Sequence, residues 1–98
     1  MKTFFVIAHR RGPEWDPSLQ LEAQAGWAEH AAFMDGLVDQ GVIVLGGPLA
    51  DEARVVLVVD APSEAEVRAV LGLDPWSGTH LVVESVDEWT IRLDGRKS

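Results

Sequence analysis

The sequence contains no cysteine and little basic charge, and both shortages narrow what the protein can do. Without cysteine there is no disulfide, no thiol nucleophile and no cysteine-ligated zinc. The 8 lysine and arginine residues are outnumbered by 16 acidic residues, which gives a formal net charge of −8. Such a chain repels phosphate backbones and anionic membrane surfaces, so we expect neither nucleic-acid nor membrane binding.

Long apolar runs are also missing from the chain. No segment approaches the ~20 apolar residues that a membrane-spanning helix needs. The N-terminus lacks the apolar region and small-residue cleavage site of a signal peptide, so we expect a cytoplasmic location. The 98 residues are 47% hydrophobic and suffice for one packed domain, which we place at residues 1–98. The polar tail, from about residue 94 to 98, is expected to fray.

The remaining pattern predicts four short strands. Runs of β-branched and aromatic residues indicate strands at 3–8, 42–45, 54–60 and 79–92. The first is ended by His9 and the residues after it, and the last has a predicted bulge around 84–88. Pro48, after two glycines, marks the end of the second strand or an edge strand, because proline cannot donate to a ladder.

Two helices are predicted between these strands. Asp16 and Pro17 resemble a capping acid followed by a first-turn proline, and helical periodicity then continues to Gln40, with Gly26 inside. Ala23 falls on the apolar face of this long helix. The second helix begins with a capping box, in which Ser63 caps and a glutamate follows three residues later, and it ends at about residue 71.

The resulting order, βαββαβ, is that of a ferredoxin-like α+β domain. In this fold the antiparallel sheet has the order 4-1-3-2, and both helices cover one face. The first and third strands are apolar on both faces, so the bare face must also be covered. A symmetric homodimer that packs sheet against sheet would cover it.

Two residues could carry chemistry, although each also has an ordinary explanation. His30 lies on the apolar face of the first helix, where it is either a hydrogen-bonded core histidine or a general acid or base in a pocket. Asp74 precedes a proline after the second helix. It either caps a turn or supplies a carboxylate that fixes the tautomer of a histidine. The spacing of the two residues leaves both alternatives open.

His9 and His80 are predicted to lie at the same end of the sheet. The end of the first strand meets the start of the fourth in the order 4-1-3-2, and Asp74 lies just upstream. A His/His/Asp metal site there is conceivable, but the chain has no HxH or HxxxH spacing, so we expect no metal. Polar residues at a pocket mouth, or surface histidines, are the other interpretations.

The chain has four tryptophans, which is many for its length. Large aromatic side chains fill cores and interfaces more often than they line ligand pockets. We therefore assign Trp27 and Trp89 to the core or to a dimer interface. Trp76, directly after Asp74 and its proline, is the strongest candidate for a pocket wall.

Several short motifs in a fixed order resemble the YCII-related (YciI-like) family over nearly the whole chain. They are Phe-Phe-Val-Ile-Ala in the first strand, His30 in the first helix, Val-Leu-Gly-Gly-Pro-Leu ending at Leu49, Asp74-Pro75-Trp76, and Val86-Asp87-Glu88-Trp89. The resemblance implies a dimeric α+β barrel and a His/Asp active site at His30 and Asp74. One family member is a dehydrochlorinase of a chlorinated hydroxyquinol, which implies acid-base chemistry on a small ring.

The leading hypothesis is a cofactor-free enzyme, lyase- or isomerase-like, acting on a small cyclic or aromatic substrate. His30 would move the proton and Asp74 would orient it, while His9, Trp76 and His80 would line the pocket. Two alternatives remain open. One is a non-catalytic dimeric module that binds a small ligand or assists another protein, and the other is a purely structural dimerisation domain.

Overall fold

The order of elements is the predicted one. A computed structural model describes residues 2–96. Its elements are β1 (Thr3–Arg11), a 3-10 turn at Leu21–Ala23, α1 (Trp27–Asp39), β2 (Ile43–Pro48), β3 (Arg54–Val59), α2 (Glu64–Leu71) and β4 (Leu81–Thr90). No helix within residues 2–96 has both the length and the apolar character needed to cross a membrane.

The four strands form one antiparallel sheet in the order β2-β3-β1-β4, which confirms the predicted 4-1-3-2 arrangement. The edge strand β2 ends at Pro48, where a missing N–H does not interrupt the ladder. The predicted bulge lies in β4. Ala8 pairs with Ser85 and His9 with Val83, so Glu84 has no partner in β1. This extra residue shifts the register next to His9.

The core lies between the sheet and the two helices. Strand alternation places Phe5, Ile7 and His9 on the same face of β1. Phe5 and Ile7 pack there with Leu37 of α1 and Val67 of α2. Burying one such apolar side chain contributes about 1.5–3 kcal/mol, so the fold strongly favours the strand register that turns these side chains towards the helices. His9 extends the core face towards the end of β1.

The start of the first helix was wrongly predicted. α1 begins at Trp27, and Gly26 is its N-cap in a left-handed conformation with φ of 78°. Asp16 instead closes a local turn, because its Oδ1 accepts hydrogen bonds from the N–H and hydroxyl of Ser18 at 2.9 and 2.6 Å. Ala23, predicted on the face of this helix, lies in the 3-10 turn. Residues 16–25 are therefore largely loop.

Strand boundaries also differ from the prediction. β1 does not end before His9 but continues to Arg11, because β3 and β4 pair with it over its full length. β2 was predicted at residues 42–45 but spans Ile43–Pro48, so it includes the two glycines and ends at Pro48, the residue predicted to mark the strand's end or an edge strand. β4 spans Leu81–Thr90 and is shorter at both ends than the predicted 79–92, and Thr79 and His80 belong to a turn in which their N–H groups bond to the carbonyl of Trp76.

The second helix follows the predicted capping. The Ser63 hydroxyl accepts a hydrogen bond from the N–H of Glu66 at 3.2 Å, and Gly72 is the C-cap. The helix therefore ends at Leu71, as expected. Asp74 follows three residues after this end, and its N–H donates to the Leu71 carbonyl. The position of Asp74 is thus set by how α2 terminates.

The opposite face of the sheet is also apolar. Phe4 and Val58 lie on this face with Leu45 and Trp89, whose side chains are 58% and 48% exposed. At its edge the Arg96 guanidinium lies over the Phe4 ring, 5.6 Å from the ring centroid. Residues 97 and 98, the end of the tail expected to fray, lie outside the described residues.

Candidate functional site

The ring of His30 is held by a carboxylate. His30 lies in the first turn of α1, and its Nδ1 is 2.8 and 2.9 Å from the two carboxylate oxygens of Asp74. Both side chains are only 9% exposed. A carboxylate can only accept, so the ring donates from Nδ1, and in the neutral tautomer Nε2 carries the lone pair. The lone pair of Nε2 is therefore available to take a proton.

Asp74 has a second role in the turn after α2. Its Oδ1 accepts a hydrogen bond from the backbone N–H of Trp76 at 2.9 Å. Asp74 thus caps a turn and binds the histidine ring at the same time. The turn fixes the carboxylate in place, because the backbone and the imidazole bind it from two directions.

Trp76 supports the histidine from one side. Its side chain is 2% exposed, and its ring stacks on the His30 ring with 4.1 Å between centroids and 8° between planes. The indole Nε1 donates to the carbonyl of Ala25 at 2.8 Å. A Cβ at Gly26 would lie 3.1 Å from the same Nε1. The glycine therefore lets the start of α1 approach the indole that orients His30.

A cleft of about 830 Å³ opens beside His30. It lies between α1, the sheet and the loops that precede α1 and follow β2. Its walls are mostly apolar, and polar side chains are few, as is usual for small-molecule sites. The lining residues include His9, Arg11, Trp15, Leu19, Trp27, His30, Met34, Val38, Ile43, Glu52, Val55, Leu57, Asp74, Trp76 and Leu81.

His9 faces the same cleft from the sheet. Its side chain is 7% exposed. Within residues 2–96 its Nδ1 is the one buried side-chain nitrogen or oxygen with no hydrogen-bond partner. Burial lowers the pKa of His9, the Asp74 carboxylate raises it, and the His30 imidazole lowers it again, with a lower pKa as the net result. The three groups are therefore electrostatic neighbours in one cleft.

The model of the YCII-related domain family matches residues 3–90. The protein belongs to the YCII-related family. Its chain is also similar to the solved structure of the 5-chloro-2-hydroxyhydroquinone dehydrochlorinase (TftG) from Burkholderia phenoliruptrix AC1100, in complex with 2,5-dihydroxybenzoquinone. The TM-score is 0.61 at 23% identity, over 91% of this chain and 93% of the other.

At this identity the structural likeness establishes the fold, and the predicted ferredoxin-like α+β fold of a YCII-related protein is confirmed. No curated protein matches the sequence. Fold and family do not by themselves fix a substrate, because function depends on the residues of the site. The roles of His30 and Asp74 in this YCII-related chain therefore rest on the geometry of its own cleft.

Not every predicted site residue of this YCII-related domain lines the cleft. His9, His30, Asp74 and Trp76 do. His80 does not. Its backbone meets the end of β1 as expected, since the N–H of Gly12 bonds to the His80 carbonyl at 2.8 Å. Its buried ring, however, stacks on Trp76 at 4.9 Å, and its Nδ1 lies 3.2 Å from the hydroxyl of Thr79.

The separation of the His80 ring from the cleft also bears on metal binding. His9 and His80 lie at the same end of the sheet, but the His9 ring lines the cleft and the His80 ring packs on Trp76 outside it. Across residues 2–96, no group of three or more histidine, aspartate or glutamate side chains is arranged to hold a metal ion.

Three cleft residues, Arg11, Trp15 and Trp27, were missed from the sequence. Trp27 was assigned to the core or a dimer interface, but it lines the cleft, with its ring centroid 5.9 Å from that of His30. The Arg11 guanidinium lies 4.8 Å above the Trp15 ring and donates to the backbone carbonyl of Glu52 at 2.6 Å. Trp15 in turn meets Trp76 edge-on, 5.9 Å between centroids. The sequence contains no local signal for the contact between Arg11 and Glu52, which are 41 residues apart. The contact joins the end of β1 to the loop between β2 and β3.

Proposed function

We propose that the protein is a cofactor-free enzyme that moves a proton on a small cyclic or aromatic substrate, as a lyase or an isomerase. The observation that carries this proposal is the environment of His30. Its Nδ1 is bound to Asp74, while its Nε2 makes no hydrogen bond within residues 2–96. Within residues 2–96, the one unpartnered side-chain nitrogen or oxygen that solvent cannot reach is Nδ1 of His9, so solvent can reach Nε2 of His30. It is therefore open to the cleft, where a ligand can reach it.

The proposed chemistry starts with proton transfer to Nε2 of His30. The electron pair left on the substrate can expel an anionic leaving group from the neighbouring carbon, and the proton then passes to water, which completes an elimination. The pair can instead shift within the ring and take the proton back at another atom, which completes an isomerisation. In both cases Asp74 stabilises the imidazolium ion that forms, and no electrons are gained or lost.

The cleft favours a flat, compact ligand. Trp15 and Trp27 line it alongside Trp76, and aliphatic side chains complete the walls. A volume of about 830 Å³ is within the range of small-molecule pockets. The structural neighbour is named for its action on 5-chloro-2-hydroxyhydroquinone and was solved with 2,5-dihydroxybenzoquinone. These two compounds are therefore the first substrate and ligand to try.

Two assays test the proposal. Chloride release from 5-chloro-2-hydroxyhydroquinone measures elimination, and double-bond migration in non-chlorinated ring ketones measures isomerisation. We expect His30→Ala and the bulkier His30→Gln to lower turnover by about 10²- to 10⁴-fold, the usual contribution of a general base. Arg68→Ala is the matched control, because Arg68 is exposed on α2, pairs with Glu64 and does not line the cleft. Turnover unchanged by loss of the imidazole would remove the proposed base.

A non-catalytic binding role is the alternative that the cleft also favours. In that case 2,5-dihydroxybenzoquinone should raise the melting temperature, as any ligand of the folded state does. No compound would be consumed, and His30→Gln would change affinity alone. Parallel melting and turnover measurements on the same preparation separate the two roles.

We further propose that a second copy of the chain covers the open face of the sheet. The exposed side chains of Leu45 and Trp89 support this arrangement, since large apolar patches are unusual on a monomer. Sedimentation should find a dimer for the wild type and a monomer for Leu45→Glu. A folded wild-type monomer at every concentration would contradict the proposal.

A further inference from the structure

Two imidazoles face one cleft, and their Nδ1 atoms have different surroundings. His30 has its Nδ1 bound to Asp74. His9 has its Nδ1 buried without any partner. The Nε2 atoms of both rings make no hydrogen bond within residues 2–96. Solvent can reach both of them, because Nδ1 of His9 is the one unpartnered side-chain atom there that is fully buried. Both Nε2 atoms are therefore open to the cleft that the two residues line.

The buried Nδ1 of His9 decides where its proton sits. A buried N–H without an acceptor is rare and costly in folded proteins. A proton on Nδ1 would create such a group, whether the ring were neutral or charged. The favoured form is thus the neutral ring with its proton on Nε2. His9 then offers an N–H to the cleft, while His30 offers a lone pair.

The surroundings of His9 favour the same neutral form. It pairs in the sheet with Val55 on one side and Val83 on the other, and neither can accept a side-chain hydrogen bond. The titratable groups that act on it electrostatically are the Asp74 carboxylate, which is bound to His30, and the His30 imidazole. Arg11, which also lines the cleft, is engaged with Trp15 and the Glu52 carbonyl. Burial also lowers the pKa of His9.

We propose that His9 is a ligand-binding residue whose Nε2–H donates a hydrogen bond to an oxygen atom of the substrate. The Nε2 of His30 faces the same cleft and accepts a proton. The site would therefore select rings with two oxygen groups: a hydroxyl that gives its proton to His30, and a ketone or phenolate oxygen that accepts a hydrogen bond from His9. This inference rests on the proposed function and names the substrate class more closely.

Three substitutions at position 9 test the donor. The amide nitrogen of glutamine falls near the position of Nε2, whereas that of asparagine falls near Nδ1, and leucine has no donor at all. For 2,5-dihydroxybenzoquinone as the probe, we expect His9→Leu and His9→Asn to weaken binding about tenfold. His9→Gln should remain within about threefold of the wild type. Calorimetry gives the affinities, and thermal melting checks that each variant is folded.

The protonation state of His9 gives a readout that does not depend on any ligand. Nitrogen-15 NMR of the free protein at pH 7 should find the His9 ring neutral, with its proton on Nε2. A ring protonated on Nδ1 would overturn the inference, whatever the enzyme does. Asparagine and glutamine variants of equal affinity, or a leucine variant that binds like the wild type, would overturn it too. A wild type that binds no quinone would contradict the proposed function itself.

Discussion

Gly26 links the start of α1 to the indole that orients His30, and replacing it tests this link. Gly26 has φ of 78°, a left-handed conformation that costs a residue with a Cβ about 1–2 kcal/mol. In Gly26→Ala the new Cβ would also lie 3.1 Å from Nε1 of Trp76, which must move by a few tenths of an ångström. That movement weakens the hydrogen bond from Nε1 to Ala25, worth about 1 kcal/mol.

Gly41 provides the matched control at the other end of α1. Its φ is 76°, and apart from its chain neighbours no atom of residues 2–96 lies within 4 Å of a Cβ built on it. Both variants therefore carry the backbone cost, and only Gly26→Ala disturbs Trp76. We expect urea denaturation to show losses of about 2 kcal/mol for Gly26→Ala and about 1 kcal/mol for Gly41→Ala.

The same pair of variants also predicts a difference in function. The Trp76 ring stacks on His30, so a shift of Trp76 in Gly26→Ala should also displace the His30 ring. We therefore expect Gly26→Ala to lower turnover and the affinity for the quinone, and Gly41→Ala to retain both. Equal losses of stability, together with unchanged binding in both variants, would refute the argument that Gly26 is needed for the approach to Trp76.

Three further predictions concern the dyad, the second helix and pH. Asp74→Asn keeps the size of the side chain but removes its charge, so turnover should fall by about 10²- to 10⁴-fold while thermal melting still shows a folded protein. Ser63→Ala removes the cap of α2 and should lower the free energy of unfolding by about 1 kcal/mol in urea, with affinity for 2,5-dihydroxybenzoquinone unchanged. Since burial lowers the pKa of His9 below 6.5, the unfolded chain binds a proton that the folded chain does not, and stability should fall as the pH drops below about 6.5. Urea titrations from pH 8 to 5 should show a smaller fall for His9→Gln, and identical pH profiles would contradict the assignment.

Much of the fold follows from local patterns in the sequence. The β-branched run of β3, the capping box at Ser63 and the glycine after α2 each act over a few residues, and each appears where predicted. The start of α1 does not follow, because Asp16 and the proline after it fit a helix cap and a local turn equally well. The left-handed Gly26, held close to a tryptophan distant in sequence, prevents one continuous helix from running from Asp16 to Gln40.

The candidate site was accessible to sequence reasoning only in part. His30 and Asp74 are 44 residues apart, and spacing alone does not bring them together. The resemblance to the family indicated the pair. Strand alternation from Phe5 and Ile7 already places His9 on the helix-covered face. The ring of His80 could not be placed in this way, because His80 precedes β4 and a turn, not a strand, directs its side chain.

We propose that the cleft beside His30 binds a small oxygen-bearing ring. The chain has three histidines, and they provide an internal comparison in one experiment. Titration of 2,5-dihydroxybenzoquinone into the protein, followed by the NMR signals of the histidine rings, should shift His9 and His30 strongly and His80 only slightly. Saturable binding that leaves both cleft histidines unmoved would contradict the claim.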